Sequence, residues 1–347
     1  MTDSPMVADI PPYTITEFTF SAQNTESEVV VMCNGKRLVI YLFADSFDES
    51  PQLKERYLFF LRVAEEFEID GLTVDDFYDW VMEPFLPILR GLPPLDGGAV
   101  STLHDLFFPE TQLFTLRAVA GVLAPFPYKT GKDEPGYGVC LPSELCPRWR
   151  SFVPSDLEIC AERPKEALSR VPKRVRPMGT GDVFFLKLLH RGDVHFAKRE
   201  VSKYEKIDDA ELGQDLRTSR LHGLVRDDTG LTFGLLLTYI DYRASTLACA
   251  AKPDRPVSLR RKWGAQIKST VECLHAAGIV WGDVKPENVL IDVNNEAWVI
   301  DFGGGYTEGW VDKELAGTVA GDLQGLAKIM NFLGVQGRKF CRYYESF

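Results

Sequence analysis

The 347 residues carry 50 acidic and 39 basic side chains, a formal net charge of −11, with 45% apolar and 26% charged residues. That balance fits a globular chain of about two domains. It argues against non-specific nucleic-acid binding, which needs a basic face. No apolar run reaches the roughly 18 residues that a membrane-spanning helix requires, so no membrane partner is expected. The opening stretch MTDSPMVADIPPYT has neither a basic start nor an apolar core and does not read as a secretory signal.

Charge divides unevenly along the chain. Residues 1–150 hold 23 acidic and 11 basic side chains, and residues 151–347 hold 27 and 28. The first part, 1–150, reads as an accessory region of mixed α/β character without catalytic spacing, whose partner its residues do not specify. A strand is expected at Arg37–Phe43. A helix should start at Ser50-Pro51 and carry Leu53, Tyr57, Leu58, Leu61, Ala64 and Phe67 on one face. Thr73 with Asp76 three residues on resembles a capping box for a second helix, ended or kinked by Pro84 and Pro87. Residues 124–150, with several Pro and Gly, read as irregular. The seven cysteines are scattered without zinc-ligand spacing, as expected of reduced thiols in the cytosol or nucleus.

From about residue 155 the pattern becomes short apolar runs between turns. Strands are expected at Leu157–Ile159, Val171–Val175, Val183–Leu189, Leu221–Val225 and Leu231–Ile240, with a helix near Phe196–Ile207. Ser258 is positioned to cap a long helix bearing Leu259, Trp263, Ile267, Val271 and Leu274, with Gly278 just past its end. The loop GIVWGDVKPENVLID follows. Val289–Asp292 and Ala297–Ile300 then form a hairpin around Asn294-Asn295, and Asp301-Phe302-Gly303 comes directly after it.

Asp283, Lys285 and Asn288 stand two and three residues apart on the loop, and Asp301 lies thirteen residues beyond Asn288. An acid, a cation and an amide at this spacing suit phosphoryl transfer, which needs an oriented hydroxyl, positive charge on the transferred group and metal-binding oxygens. In these residues the chain resembles the protein-kinase superfamily, with motif wording similar to fungal kinase-like proteins. The resemblance covers about residues 155–330. It implies an α+β, bilobal fold over 155–347, with an N-lobe at about 155–238 and a truncated C-lobe at about 241–347. It implies ATP and Mg2+ as cofactors, Asp283 as catalytic base, Lys285 as phosphate contact, and Asn288 and Asp301 as metal ligands. Leu237, Tyr239 and Ile240 correspond to the adenine-binding hinge, and Asp322 to the carboxylate that supports the catalytic loop. Lys187 with Glu200 thirteen residues later fits the ATP-anchoring ion pair, with Tyr204 one turn beyond. Lys198 competes, but Glu205, the acid it would pair with, is only seven residues on.

The substrate implied is a hydroxyl, on a protein Ser/Thr or on a small molecule of the aminoglycoside or choline class. A pseudokinase or interaction scaffold is the alternative. It draws on two departures, the truncated large lobe and a missing glycine loop: the connection Ala161–Leu168, where a phosphate-covering loop belongs, contains no glycine, and Gly179-Thr180-Gly181 is placed for a tight turn instead. Trp281-Gly282-Asp283 also replaces the usual His-Arg-Asp, so no arginine adjoins the catalytic Asp to grip a phosphorylated segment. Accordingly, neither Thr307→Glu nor Thr318→Glu is expected to switch activity on; a large gain in turnover in either variant would overturn this.

Overall fold

The computed structural model describes residues 9–21, 23–96, 100–129, 136–213, 216–242 and 245–335. The first eight residues of the stretch read above for a secretory signal, and residues 130–135 of the expected irregular segment, lie outside these. The chain forms two compact units, Met1–Pro135 with Pro154–Gly181, and Gly136–Val153 with Asp182–Phe347. A single boundary at 150–155 therefore does not describe the division, because residues 136–153 group with the second unit and residues 154–181 with the first. Among the described residues no helix is long and apolar enough to cross a membrane.

In the first unit five strands form one sheet: Tyr13–Ser21, Glu26–Cys33, Lys36–Phe43, Glu110–Val119 and Val122–Pro127, in that spatial order. The pair Lys36–Phe43 and Glu110–Val119 is parallel, and the other pairs are antiparallel. The helix Pro51–Glu66 buries Tyr57, Phe60, Leu61 and Val63, whereas Phe67, expected on that face, is exposed at its C-terminal end with φ +69°. Ser50 precedes the helix in an extended conformation, but its side chain makes no capping bond. The Thr73–Asp76 capping box forms and starts the helix Val74–Met82, which ends before Pro84. The antiparallel pair Leu157–Ile159 and Arg174–Pro177 also belongs here. The glycine-free connection between them is held within this unit, where Asn34 N donates to Ser169 Oγ at 3.3 Å and Leu168 packs on Gly35.

In the second unit the strand Phe184–Leu188 pairs antiparallel with Leu231–Thr238, which pairs antiparallel with Leu221–Arg226. Residues 136–153 extend this sheet. Val139–Cys140 joins Leu231–Thr238, and Arg150–Phe152 lies parallel to Leu221–Arg226. The parallel contact is close because position 223 is glycine; a Cβ there would stand 2.6 Å from the Phe152 ring and 2.9 Å from the Arg150 carbonyl oxygen. The helix Val194–Asp209 buries Ala197, Glu200, Val201, Tyr204 and Ile207, a spacing of three and four that makes one inward stripe. The long helix Val257–Ala276 buries Trp263, Ile267, Val271 and Leu274. It starts two residues earlier than expected, after Pro256, so Ser258 lies inside its first turn rather than capping it. Val289–Ile291 and Ala297–Val299 form the expected hairpin. The last described helix, Val319–Phe332, begins at Thr318, whose hydroxyl accepts from Gly321 N.

Gly325, inside that last helix, lies against Val284; a Cβ added to it would be 2.7 Å from the Val284 Cβ and 3.1 Å from its carbonyl oxygen. Alanine improves helix propensity by about 1 kcal/mol. Overpacking against a buried loop costs about 1–3 kcal/mol, so the clash should win. Gly325→Ala is expected to lower unfolding free energy in a urea titration; a higher urea midpoint than wild type would overturn this.

Candidate active site

The strand Phe184–Leu188 carries Lys187 opposite Leu235 of the neighbouring strand. The helix Val194–Asp209 brings Glu200 beneath it, with the Glu200 side chain only 2% exposed. Lys187 Nζ lies 2.8 Å from Glu200 Oε2 and 2.9 Å from Asp301 Oδ1, so one ammonium bridges two carboxylates. Burial works against the charge on Lys187, but Glu200 and Asp301 outweigh it and raise its pKa. Burial likewise raises the Glu200 carboxyl. At Asp301 burial is overcome by Lys187 and by the Gly303 N–H, and its pKa is lowered. Lys198, the competing lysine, sits exposed on the helix.

Lys187, Glu200 and Asp301 form the polar wall of a cavity of about 190 Å³ whose other walls include Phe185, Leu237, Ile240 and Leu290. Leu237 and Ile240 of the expected hinge therefore face it. Tyr239 does not; Thr238 and Tyr242 line it instead. The strand ends at Thr238, so the side-chain alternation that would govern residue 239 stops there. Next in the chain, Phe302 is fully buried edge-on against Tyr204, ring centroids 5.5 Å apart.

The loop between the long helix and the hairpin holds the second group. Gly278, at φ +72°, turns the chain out of the helix. Asp283 Oδ2 lies 2.8 Å from Lys285 Nζ and accepts a 2.8 Å hydrogen bond from Asn288 Nδ2. Asn288 Nδ2 also donates to the Asp283 carbonyl at 2.9 Å. Lys285 Nζ donates to Thr307 Oγ1 at 3.0 Å, and Thr307 Oγ1 donates to Asp283 Oδ1 at 3.3 Å. Sequence reasoning named Thr307 only as a position for phosphorylation. Its neighbours held a clue, the run Gly303-Gly304-Gly305; a Cβ at Gly305 would be 3.2 Å from the Asp283 carboxyl carbon.

Asp322 accepts from Trp281 N at 2.7 Å, Gly282 N at 2.8 Å and His275 Nε2 at 2.8 Å. It thereby supports the loop as the resemblance implies. The hairpin brings Asn288 and Asp301 to one end, because Ile300 N donates to the Asn288 carbonyl oxygen at 3.0 Å. With its amide nitrogen bonded to Asp283, Asn288 keeps its amide oxygen for another partner, at the same end of the hairpin as the Asp301 carboxylate. These are hard oxygen donors of the kind Mg2+ takes, usually with one or two protein ligands supplemented by water and phosphate. Among the described residues no group of three or more His, Cys, Asp or Glu could hold a metal ion.

Residues 222–314 match the protein kinase domain family. The chain is 31% identical over 150 residues to the human serine/threonine-protein kinase MRCK gamma, a match covering 41% of this chain and 9% of that protein. It is 28% identical over 174 residues to an Aurora kinase of Schizosaccharomyces pombe, covering 49% of this chain and 47% of the relative. To human myotonin-protein kinase it is 28% identical over 149 residues, covering 43% and 23%. The chain thus spans less than half the length of these relatives, and the matched stretch contains the loop, the hairpin and Asp301. Protein-kinase domains use ATP with a divalent metal, which suits the paired carboxylates and the lysine between them. The second unit, which contains residues 222–314, is a mixed helix-and-strand, kinase-like fold, and over that stretch the chain is similar to the protein-kinase superfamily.

Proposed function

We propose that the chain transfers the γ-phosphoryl group of ATP to a hydroxyl, most readily a protein serine or threonine, in a Mg2+-dependent reaction. The observation that carries this reading is the seating of a threonine hydroxyl between Asp283 and Lys285. A carboxylate and an ammonium that hold one hydroxyl between them can hold another. In this reading Lys187 contacts the ATP phosphates, kept charged by Glu200 and Asp301. The adenine lies against Leu237 and Ile240. Asn288 and Asp301 would hold Mg2+, which would neutralise charge on the phosphates. The acceptor oxygen forms a bond to the γ-phosphorus as the bond from that phosphorus to the β-phosphate oxygen breaks. The hydroxyl proton passes to Asp283, and Lys285 neutralises charge on the phosphoryl group in flight.

The Asp283 carboxylate has two unequal oxygens. Oδ2 already accepts from Lys285 and Asn288 at 2.8 Å, while Oδ1 has only the longer 3.3 Å contact to Thr307 among the contacts described above. Oδ1 is therefore the oxygen assigned to the incoming hydroxyl. Asp283→Asn should keep the loop hydrogen bonds in part and lower kcat by about 10²–10⁴-fold. The measurement is γ-phosphate transfer to a peptide library and to sugar, amine and choline-like acceptors; unchanged turnover would defeat the assignment. Transfer confined to the small molecules would favour the small-molecule reading.

The scaffold reading is favoured by the glycine-free connection Ala161–Leu168, which is packed within the first unit. Nucleotide binding discriminates. At about ten times its dissociation constant, Mg-ATP should stabilise the fold by about 1.4 kcal/mol, a shift in melting temperature of about 3–6 °C. Lys187→Met should abolish that shift. A wild type with no shift at millimolar Mg-ATP would support a scaffold instead.

A further inference from the structure

Position 282, immediately before Asp283, is glycine at φ +89°. A Cβ there would lie 2.8 Å from Nζ of Lys203, so the space a side chain would take is filled by an ammonium from another element. Lys203 stands three residues after Glu200, one turn along the same helix. Its Nζ donates to the Trp281 carbonyl oxygen at 2.9 Å. The N–H of that same peptide unit, Gly282 N, donates to Asp322 Oδ1 at 2.8 Å. The peptide between Trp281 and Gly282 is thus gripped at its carbonyl from the helix and at its N–H from Asp322. A peptide held at both ends cannot rotate, and its rotation would swing the Asp283 side chain.

We propose that Lys203 is a positioning residue that fixes the Trp281–Gly282 peptide, and with it Asp283, in place of a side chain at position 282. Burial pushes the Lys203 pKa down, with Asp322 opposing that shift more than Glu200 or Asp301 does. The ammonium is therefore a desolvated donor held by surrounding negative charge. Because Glu200 reaches Lys187 and Lys203 reaches the loop from adjacent turns, the helix is tied to both halves of the site without any modification of the segment after Asp301.

The activity arm of the test rests on the kinase reading; the exchange arm does not. Full-length wild type, Lys203→Met and Lys203→Arg are compared by steady-state phosphate transfer and by amide hydrogen exchange of peptides covering residues 279–285 and 194–209. Lys203→Met keeps the volume and removes the donor. It should lower kcat about 10- to 100-fold with little change in KM for ATP. It should also speed exchange in 279–285, with the remaining peptides protected as in wild type. Lys203→Arg, which retains a charged donor, should recover part of both. Wild-type kcat and wild-type exchange in Lys203→Met would overturn the proposal. If Lys203→Met fails to fold, Lys203→Leu, which also lacks a donor, provides the same comparison, and wild-type behaviour there overturns it equally. A wild type without transfer activity defeats the kinase reading alone, and the exchange arm then decides the role of Lys203.

Discussion

One buried carboxylate makes the irregular loop possible. Asp322 is 2% exposed and accepts from two successive backbone N–H groups and one imidazole. Those two N–H groups lie in no helix or strand, and without an acceptor each would be a buried unpaired donor. Asp322 sits in the first turn of the helix that Thr318 caps, where the helix N-terminus favours negative charge. Gly325, one turn on, removes the side chain that would hold the helix off Val284. Cap, acid and glycine at 318, 322 and 325 thus form one device, and the Asp283 geometry depends on it.

The second constraint is electrostatic. Lys187 supplies one positive charge to two carboxylates, and the cluster is mostly withdrawn from water. Raised Glu200 and lowered Asp301 express the same imbalance, with the deeper acid disfavoured as an anion and the more open one held charged. Asp301 also occupies φ +63°, a conformation that Asp adopts more readily than most residues, which turns its carboxylate toward both Lys187 and the Gly303 N–H. A site with surplus negative charge and hard oxygen donors gains from an added cation. In this respect the local electrostatics and the proposed Mg2+ requirement agree.

Much of the second unit could be read from the sequence because its signals are local. Lys187 and Glu200 were separable from Lys198 and Glu205 by the length that a strand, a turn and half a helix demand. The loop residues announced themselves by type and spacing, and Gly278 marked the helix end. What escaped were contacts between distant segments. Nothing local distinguishes Lys203 from a solvated helix lysine, since its partner is a carbonyl 78 residues away. The domain division also escaped, because residues 136–153 contribute only a two-residue strand and a three-residue strand to a sheet built far downstream. In the first unit, Phe67 kept helical spacing but fell at the position where the helix ends, so periodicity placed it inward and the left-handed backbone turned it outward.

Trp281-Gly282 is the departure from the usual motif that explains most about this site. A bulky residue at 281 fills the core, fully buried, with Nε1 donating to the Ile300 carbonyl oxygen and so joining the loop to the strand end that precedes Asp301. A residue without a side chain at 282 leaves room for an ammonium from the helix. The two changes act together. The tryptophan ties the loop to the hairpin, and the glycine lets the helix reach the loop. An arginine on the loop would need an added phosphate to complete its contacts, whereas Lys203 finds its acceptor in the loop backbone itself. A loop secured in this way depends on groups already in the fold, which is why its polar residues are aligned without any modification of the segment after Asp301.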